Sequence, residues 1–190
     1  MTLNDYFDKI YCINLDRRTD RWESAQKEFE KHGIVVDRIS AVEGGAQGLI
    51  ETNKRIFRNA IVKGYNSILI LEDDVEFIED LQNKFKEAYS SVPENWNMLY
   101  FGGNHFFGQP VPINNHVAIP KNTLSSHAIA YKKDAYQKML DKLVLNEPMD
   151  ITFANNLIYF DAFLFFPHLA WQKSGHSDIE NQYVDYSFLR

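Results

Sequence analysis

Apolar positions along this chain change their spacing several times, and each change marks an element. Within Lys9 to Leu15 the residues Ile10-Tyr-Cys-Ile13 are consecutive apolar positions, the pattern of a strand covered on both faces. The polar turn Asp16-Arg17-Arg18 follows. Trp22, Ala25 and Phe29 then recur at helical spacing, with Thr19 placed to cap the helix start and Gly33 its end. Residues 34–39 predict a short second strand. It leads through Ala41-Val42-Glu43-Gly44-Gly45 into a helix with Leu49, Ile56, Phe57, Ala60 and Ile61 on one face and Gly64 at its end. Residues 67–71, Ser-Ile-Leu-Ile-Leu, predict a third strand. Three successive strand–helix alternations predict an α/β fold with a largely parallel, right-handed sheet.

Further along, Leu81, Phe85, Ala88 and Tyr89 mark another helical face, and residues 98–101 read as a strand stopped by Gly102-Gly103. Residues 104–124 are rich in Asn, Gly and Pro and predict a short hairpin or a mobile loop. Residues 126–131 return to strand character, and 134–145 form an amphipathic helix ending near Pro148. The remainder, including Leu157-Ile-Tyr-Phe160 and Ala162-Phe-Leu-Phe-Phe166, is aromatic and poorly periodic. No internal repeat or low-complexity tract interrupts the 190 residues, so one domain is the default organisation.

Composition narrows the function classes. The net charge of −6 and the absence of long basic runs argue against a broad electrostatic grip on nucleic acid. Any anionic ligand must therefore be held locally. Cys12 is the only cysteine, which excludes an internal disulfide framework and fits a reducing compartment. The first residues lack a basic stretch leading into an apolar one, and no apolar run approaches membrane-spanning length. A cytoplasmic location without a transmembrane segment is expected.

The third strand stops abruptly at Glu72-Asp73-Asp74. Ligands of open α/β sheets gather at that edge. Adjacent carboxylates repel one another unless positive charge lies between them, so a cluster there suits a hard, oxygen-loving cation such as Mg²⁺ or Mn²⁺ carrying a phosphorylated ligand. The competing reading of the tripeptide by itself is a solvated acidic turn capping the next helix.

Several separated segments together resemble glycosyltransferase family 25, which contains lipopolysaccharide β-galactosyltransferases and collagen galactosyltransferases. They are Ile13-Asn14-Leu15-Asp16-Arg17-Arg18 followed by Arg21, Ala41-Val42-Glu43-Gly44, Ile70-Leu71-Glu72-Asp73-Asp74-Val75, Met98-Leu-Tyr-Phe-Gly-Gly103, Ser126-His-Ala-Ile-Ala-Tyr131, Pro148-Met149-Asp150, and Ala170-Trp171-Gln172 leading to Ser177-Asp178-Ile179. Each motif alone is weak; their shared order is what makes the likeness specific. The resemblance implies a GT-A-like, Rossmann-like fold, a UDP-sugar donor with galactose typical, a divalent cation, and transfer with inversion to a glycan, lipopolysaccharide-type or other hydroxyl acceptor. On that pattern residues 1–103 form the nucleotide-sugar and metal part and 104–190 the acceptor side.

A metal fixed by carboxylates would stabilise the charge of a departing diphosphate. Asp74 is the first choice of ligand, with Glu72 a second, while Glu72 or Asp73 could instead face the ribose or hold the metal's waters, since neighbouring side chains at a strand end point in different directions. The family pattern puts the donor beside Asn14, Arg17, Arg18 and Arg21, with Glu43 nearby. Guanidinium forks suit phosphate oxygens, and an exposed, charge-solvated helix start is the plainer alternative. Inversion needs a carboxylate near the acceptor hydroxyl, for which Asp150 leads, helix capping being its plainer role and Asp161 and Asp178 its rivals. His176 is a late candidate metal ligand. His127 reads as a core residue, and Trp171, Tyr131 and Phe106 as potential sugar platforms among many core aromatics.

Two departures from the family stand out: Thr52-Asn53 occupies the place of a Ser-His pair, and the chain stops soon after Ser177-Asp178-Ile179. They motivate a second reading, a catalytically inactive binding domain retaining the fold. A phosphohydrolase ranks third, because Asn14-Leu15-Asp16 puts asparagine where an aspartyl-phosphate mechanism needs its nucleophile.

Overall fold

A computed structural model of the chain describes residues 2–105, 108–144 and 147–189. Its elements in chain order are β1 (Lys9–Asn14), α1 (Thr19–His32), β2 (Asp37–Ser40), α2 (Gly45–Lys63), β3 (Ser67–Glu72), β4 (Val75–Phe77), α3 (Leu81–Tyr89), β5 (Met98–Tyr100), β6 (Val111–Pro112), β7 (Val117–Ile119), β8 (Ala128–Lys132), α4 (Lys133–Lys142), α5 (Met149–Asn156), β9 (Ala162–Phe165), β10 (Ala170–Gln172), β11 (Gly175–Ser177) and β12 (Gln182–Val184). The main sheet has the order β2-β1-β3-β8-β5-β9-β7-β6.

The first three strands are mutually parallel, as the strand–helix alternation predicts. β5 and β9 continue in the same direction, while β8 runs antiparallel between β3 and β5. That reversal decides what reaches the site, because the start of β8 lies beside the end of β3. β4 and β10 form a separate two-stranded ribbon, and β11 and β12 another.

The continuous apolar run of β3 divides between two cores because successive side chains alternate across the sheet. Leu69 and Leu71 pack with Cys12, Phe29, Phe85 and Phe101 on the face covered by α1 and α3. Ile68 and Ile70 pack with Tyr11, Phe57, Tyr131, Met139 and Phe153 on the face covered by α2, α4 and α5. The result is an α/β architecture with helices on both faces of a sheet in which six of the eight strands run in one direction and β8 and β7 are reversed.

Boundaries differ from expectation where turn chemistry intervenes. The second strand starts at Asp37 rather than Ile34, because Gly33 takes a left-handed φ of 63° and the Ile34 N–H closes the α1 terminus on the Phe29 carbonyl. β3 extends one residue further, so Glu72 is itself a strand residue. The turn-rich stretch 104–124 does contain a hairpin, β6–β7, joined to the sheet edge through β9. The helix expected over 134–145 spans Lys133–Lys142, and Leu145 lies outside the described residues. The aromatic segment 157–166 holds β9, which packs Leu164 and Phe165 into opposite cores and so shows no alternation of polar and apolar positions. No helix of the described residues is long and apolar enough to cross a membrane.

Candidate active site

The carboxyl ends of β1 and β3, the start of α2, the segment before β8, the first turn of α5 and the β11–β12 region enclose a cleft of about 450 Å³. Its position at the carboxyl edge of parallel strands is where open α/β sheets bind ligands. Glu72, Asp73 and Asp74 lie on its wall.

Each acid has a different environment. Glu72 is half-buried and accepts a hydrogen bond from the Ser126 Oγ at 2.5 Å, a contact available only because β8 begins where β3 ends. Burial, with the charges of Asp74 and Asp73 added, pushes its carboxyl up to about 8, although the Ser126 hydrogen bond pulls the other way. Asp73 accepts from Asn14 Nδ2 at 2.6 Å and from Arg21 Nη1 at 2.8 Å. Its carboxyl is also raised by burial, against the pull of Arg21. Asp74 accepts from Arg21 Nη2 at 3.1 Å through Oδ2, and burial raises it to about 6 despite that pairing. Its Oδ1 is buried without a hydrogen-bond partner.

The Arg21 guanidinium thus spans Asp73 and Asp74 and supplies part of the positive charge they require. Among the described residues no three His, Cys, Asp or Glu side chains stand together in metal-holding geometry. The orphaned Asp74 Oδ1 is nevertheless a hard oxygen donor with nothing bound to it, so it fits one ligand position of a divalent ion. Around the acids, five carboxylates (Asp20, Glu43, Asp73, Asp74 and Asp178) pair with three guanidiniums, Arg17, Arg18 and Arg21, and Glu72 stands beside them as a further acid that ionises only as pH nears 8. A phosphorylated ligand entering here meets surplus negative charge, which a cation would offset.

Asn14 lines the cleft, but its amide is consumed internally. Nδ2 donates to Asp73 and to the Arg18 carbonyl, while Oδ1 accepts from Arg38 Nε at 2.9 Å and Nη2 at 2.7 Å. It therefore positions Asp73 and the arginine loop. Arg38, on β2, was not singled out by the sequence, because its partner lies 24 residues away. Arg17 pairs with Glu43 at 3.2 Å and with Asp178 at 2.7 Å; Arg18 pairs with Asp20 and closely with Asp178. Glu43 is exposed and does not line the cleft.

Asp150 lies in the first turn of α5 on the cleft wall, accepting from the Ser125 N–H at 3.4 Å and the Ile151 N–H at 2.9 Å. Of its two rivals, Asp161 binds Asn95 and Asn97 and does not line the cleft, and Asp178 is engaged by the arginines. The structure does not bring the His176 ring to the acids: that side chain is exposed, and it is the His176 carbonyl that faces Arg18 and Arg21. His127 is fully buried, which pushes it down to about 4 and keeps it neutral. Tyr131 is core, the Trp171 indole donates to Glu76, and neither lines the cleft; Phe106 lies outside the described residues.

Thr52 and Asn53 are buried within α2. Thr52 Oγ accepts from the Val42 N–H at 2.8 Å and donates to the Gly48 carbonyl, and Asn53 donates to the Leu49 carbonyl. Thr52 therefore ties down the Ala41–Val42 wall of the cleft. Gly48 permits this approach, since a Cβ there would sit 2.0 Å from the Val42 carbonyl oxygen.

No family model matches the chain. It is 24% identical over 128 residues to a glycosyltransferase 25 family member of Anopheles gambiae, a match covering 49% of this chain and 21% of that protein. It is 25% identical over 130 residues to procollagen galactosyltransferase 1 of Danio rerio, covering 50% and 21%. The chain is glycosyltransferase family 25-like. It spans about a fifth of the length of these curated relatives. The crystal structure of A197 from STIV superposes with a TM-score of 0.59 at 11% identity, covering 94% of this chain and 93% of that one, which is a likeness of fold alone. In this family 25-like chain, residues drawn from six separated motifs meet at one cleft: Asn14 and Arg21, Ala41 and Val42, Glu72 to Asp74, Ser126, Pro148 to Asp150, and Ser177 with Asp178.

Proposed function

We propose that the chain is a metal-dependent glycosyltransferase that moves a hexose, galactose in the first instance, from a UDP-sugar to a hydroxyl of a glycan or lipopolysaccharide-type acceptor, with inversion. The observation that carries this reading is the convergence of the separated motifs on one acid-walled cleft. Asp74, through its unpartnered oxygen, and Glu72 would hold Mn²⁺ or Mg²⁺, which when bound supplies charge stabilisation for the departing diphosphate. Arg21 keeps Asp73 and Asp74 ionised and in place. Asn14 and Arg38 fix the orientation of Asp73. Ala41, Val42, Ala46 and Leu49 give an apolar wall suited to one face of a flat base. Asp150 accepts the proton of the attacking hydroxyl. Cys12 is buried and unpaired, which suits the cytoplasm.

The test is release of UDP from UDP-hexoses with Mn²⁺ and a panel of glycan acceptors, alongside calorimetric titration of UDP. Asp74→Asn should abolish turnover and lower metal affinity; Asp150→Asn should lower kcat by about 10²-fold or more and leave UDP binding intact. Donor binding without turnover on any acceptor would favour the inactive binding domain, and absence of both would sink the proposal.

A further inference from the structure

The arginines expected to meet the donor already hold an anion that belongs to the chain. Arg17 Nη2 pairs with Asp178 Oδ1 at 2.7 Å, and Arg18 Nη1 closes on Asp178 Oδ2. One carboxylate thus bridges two guanidiniums, much as a phosphate would. Asp178 sits between β11 and β12, whose only strand partners among the described residues are each other. Among the described residues, the polar ties of 175–184 to the rest of the chain include the His176 carbonyl, which accepts from Arg18 and Arg21 at 3.5 and 3.4 Å, so they gather on the same arginine group. The bonds from Ser174 to Asp185 and from the Tyr186 N–H to Ser174 are internal to the segment, whose near end is anchored at Lys173 through its N–H to the Asp74 carbonyl and its Nζ to Ser24. Asp178 and Glu180 line the acid-walled cleft together with Glu72, Asp73 and Asp74, so the hairpin adds negative charge where charge is already in excess.

We propose that Asp178 is a tethered stand-in for the donor's phosphate, so that a diphosphate ligand enters by displacing it and frees the β11–β12 hairpin from the arginines. This rests on the reading of the cleft as the donor site. A diphosphate carries more charge than one carboxylate and offers more oxygens to the two forks, so it is the stronger partner once a cation offsets the wall acids. The hairpin then acts as a latch: closed on the empty site, open when a diphosphate is held.

Calorimetric titration of Mg²⁺–pyrophosphate into the whole chain tests this without requiring any sugar. Wild type binds with an affinity reduced by the fraction of molecules whose latch is closed, so Asp178→Asn should bind about tenfold more tightly while Asp178→Glu stays near wild type. In wild type, pyrophosphate should speed hydrogen exchange over residues 175–186, a readout that needs no variant. Equal or weaker binding by Asp178→Asn, slower exchange over the hairpin, or no pyrophosphate binding at all would overturn the latch. If the latch results hold while every UDP-sugar fails to turn over, the transferase reading falls and the displacement stands.

Discussion

Replacing Glu72 by Gln tests the charge surplus directly, because Gln keeps the oxygen that accepts from Ser126 and removes only the ionisation. In the folded chain the Glu72 carboxyl is raised from 4.5 to about 8 by burial and by Asp74 and Asp73. Between those values the folded state holds a proton that the unfolded chain has released. Stability associated with this group is therefore complete below about pH 4.5 and is lost as pH rises toward 8. A fully buried carboxyl would lose about 1.4 kcal/mol per pH unit, or about 4 kcal/mol from pH 5 to pH 8. Glu72 is half-buried on a cleft wall, and solvent screening brings the expected change to about 2 kcal/mol. The assay is urea unfolding of wild type and variant in parallel with a chelator present. Taking the difference cancels His127, whose depressed ionisation works in the opposite direction below about pH 6.5. The variant should match wild type near pH 5 and exceed its stability by about 2 kcal/mol at pH 8. If the acids hold the proposed ion, adding Mn²⁺ at pH 8 should reverse the sign, because a cation favours the ionised wild-type site. A difference that does not change with pH, or one in which wild type gains as pH rises, refutes the reasoning.

Two further predictions concern the wall built by α2. Thr52→Val keeps the volume but strands the Val42 N–H, so chemical denaturation should show a loss of about 1–2 kcal/mol, with UDP affinity falling as the Ala41–Val42 wall loosens. Gly48→Ala drives a Cβ into the Val42 carbonyl, and thermal unfolding should register a loss of about 3 kcal/mol; an unchanged melting temperature would contradict the close approach.

The first 75 residues are the part of the fold most legible in the sequence, because β1, α1, α2 and β3 are local units whose apolar spacing reports their own burial. β4 was not legible: three residues paired with a strand nearly a hundred positions later carry no local period. β9 escaped for another reason, since packing into both cores erases alternation. At the site, the run Glu72-Asp73-Asp74 was visible because adjacent acids at a strand end are unusual, and the structure puts all three on the cleft wall. What surrounds them was not. Arg38 reaches Asn14 from β2 and carries no local signal, and although Ser126 and Asp178 stand in recognisable motifs, their contacts with Glu72 and with the arginines come from distant segments and could not be read from residue type. His176 shows the converse: a plausible ligand by type whose main chain, rather than its ring, faces the arginines.

The Arg21 bridge between Asp73 and Asp74 bears on how such a chain matures. With a built-in counterion for two of its three wall acids, the polypeptide can complete its fold during synthesis whether or not divalent ions are abundant. If the cleft takes the ion proposed above, its loading is a later, reversible event set by ion supply, and a chelator should silence the protein without unravelling it.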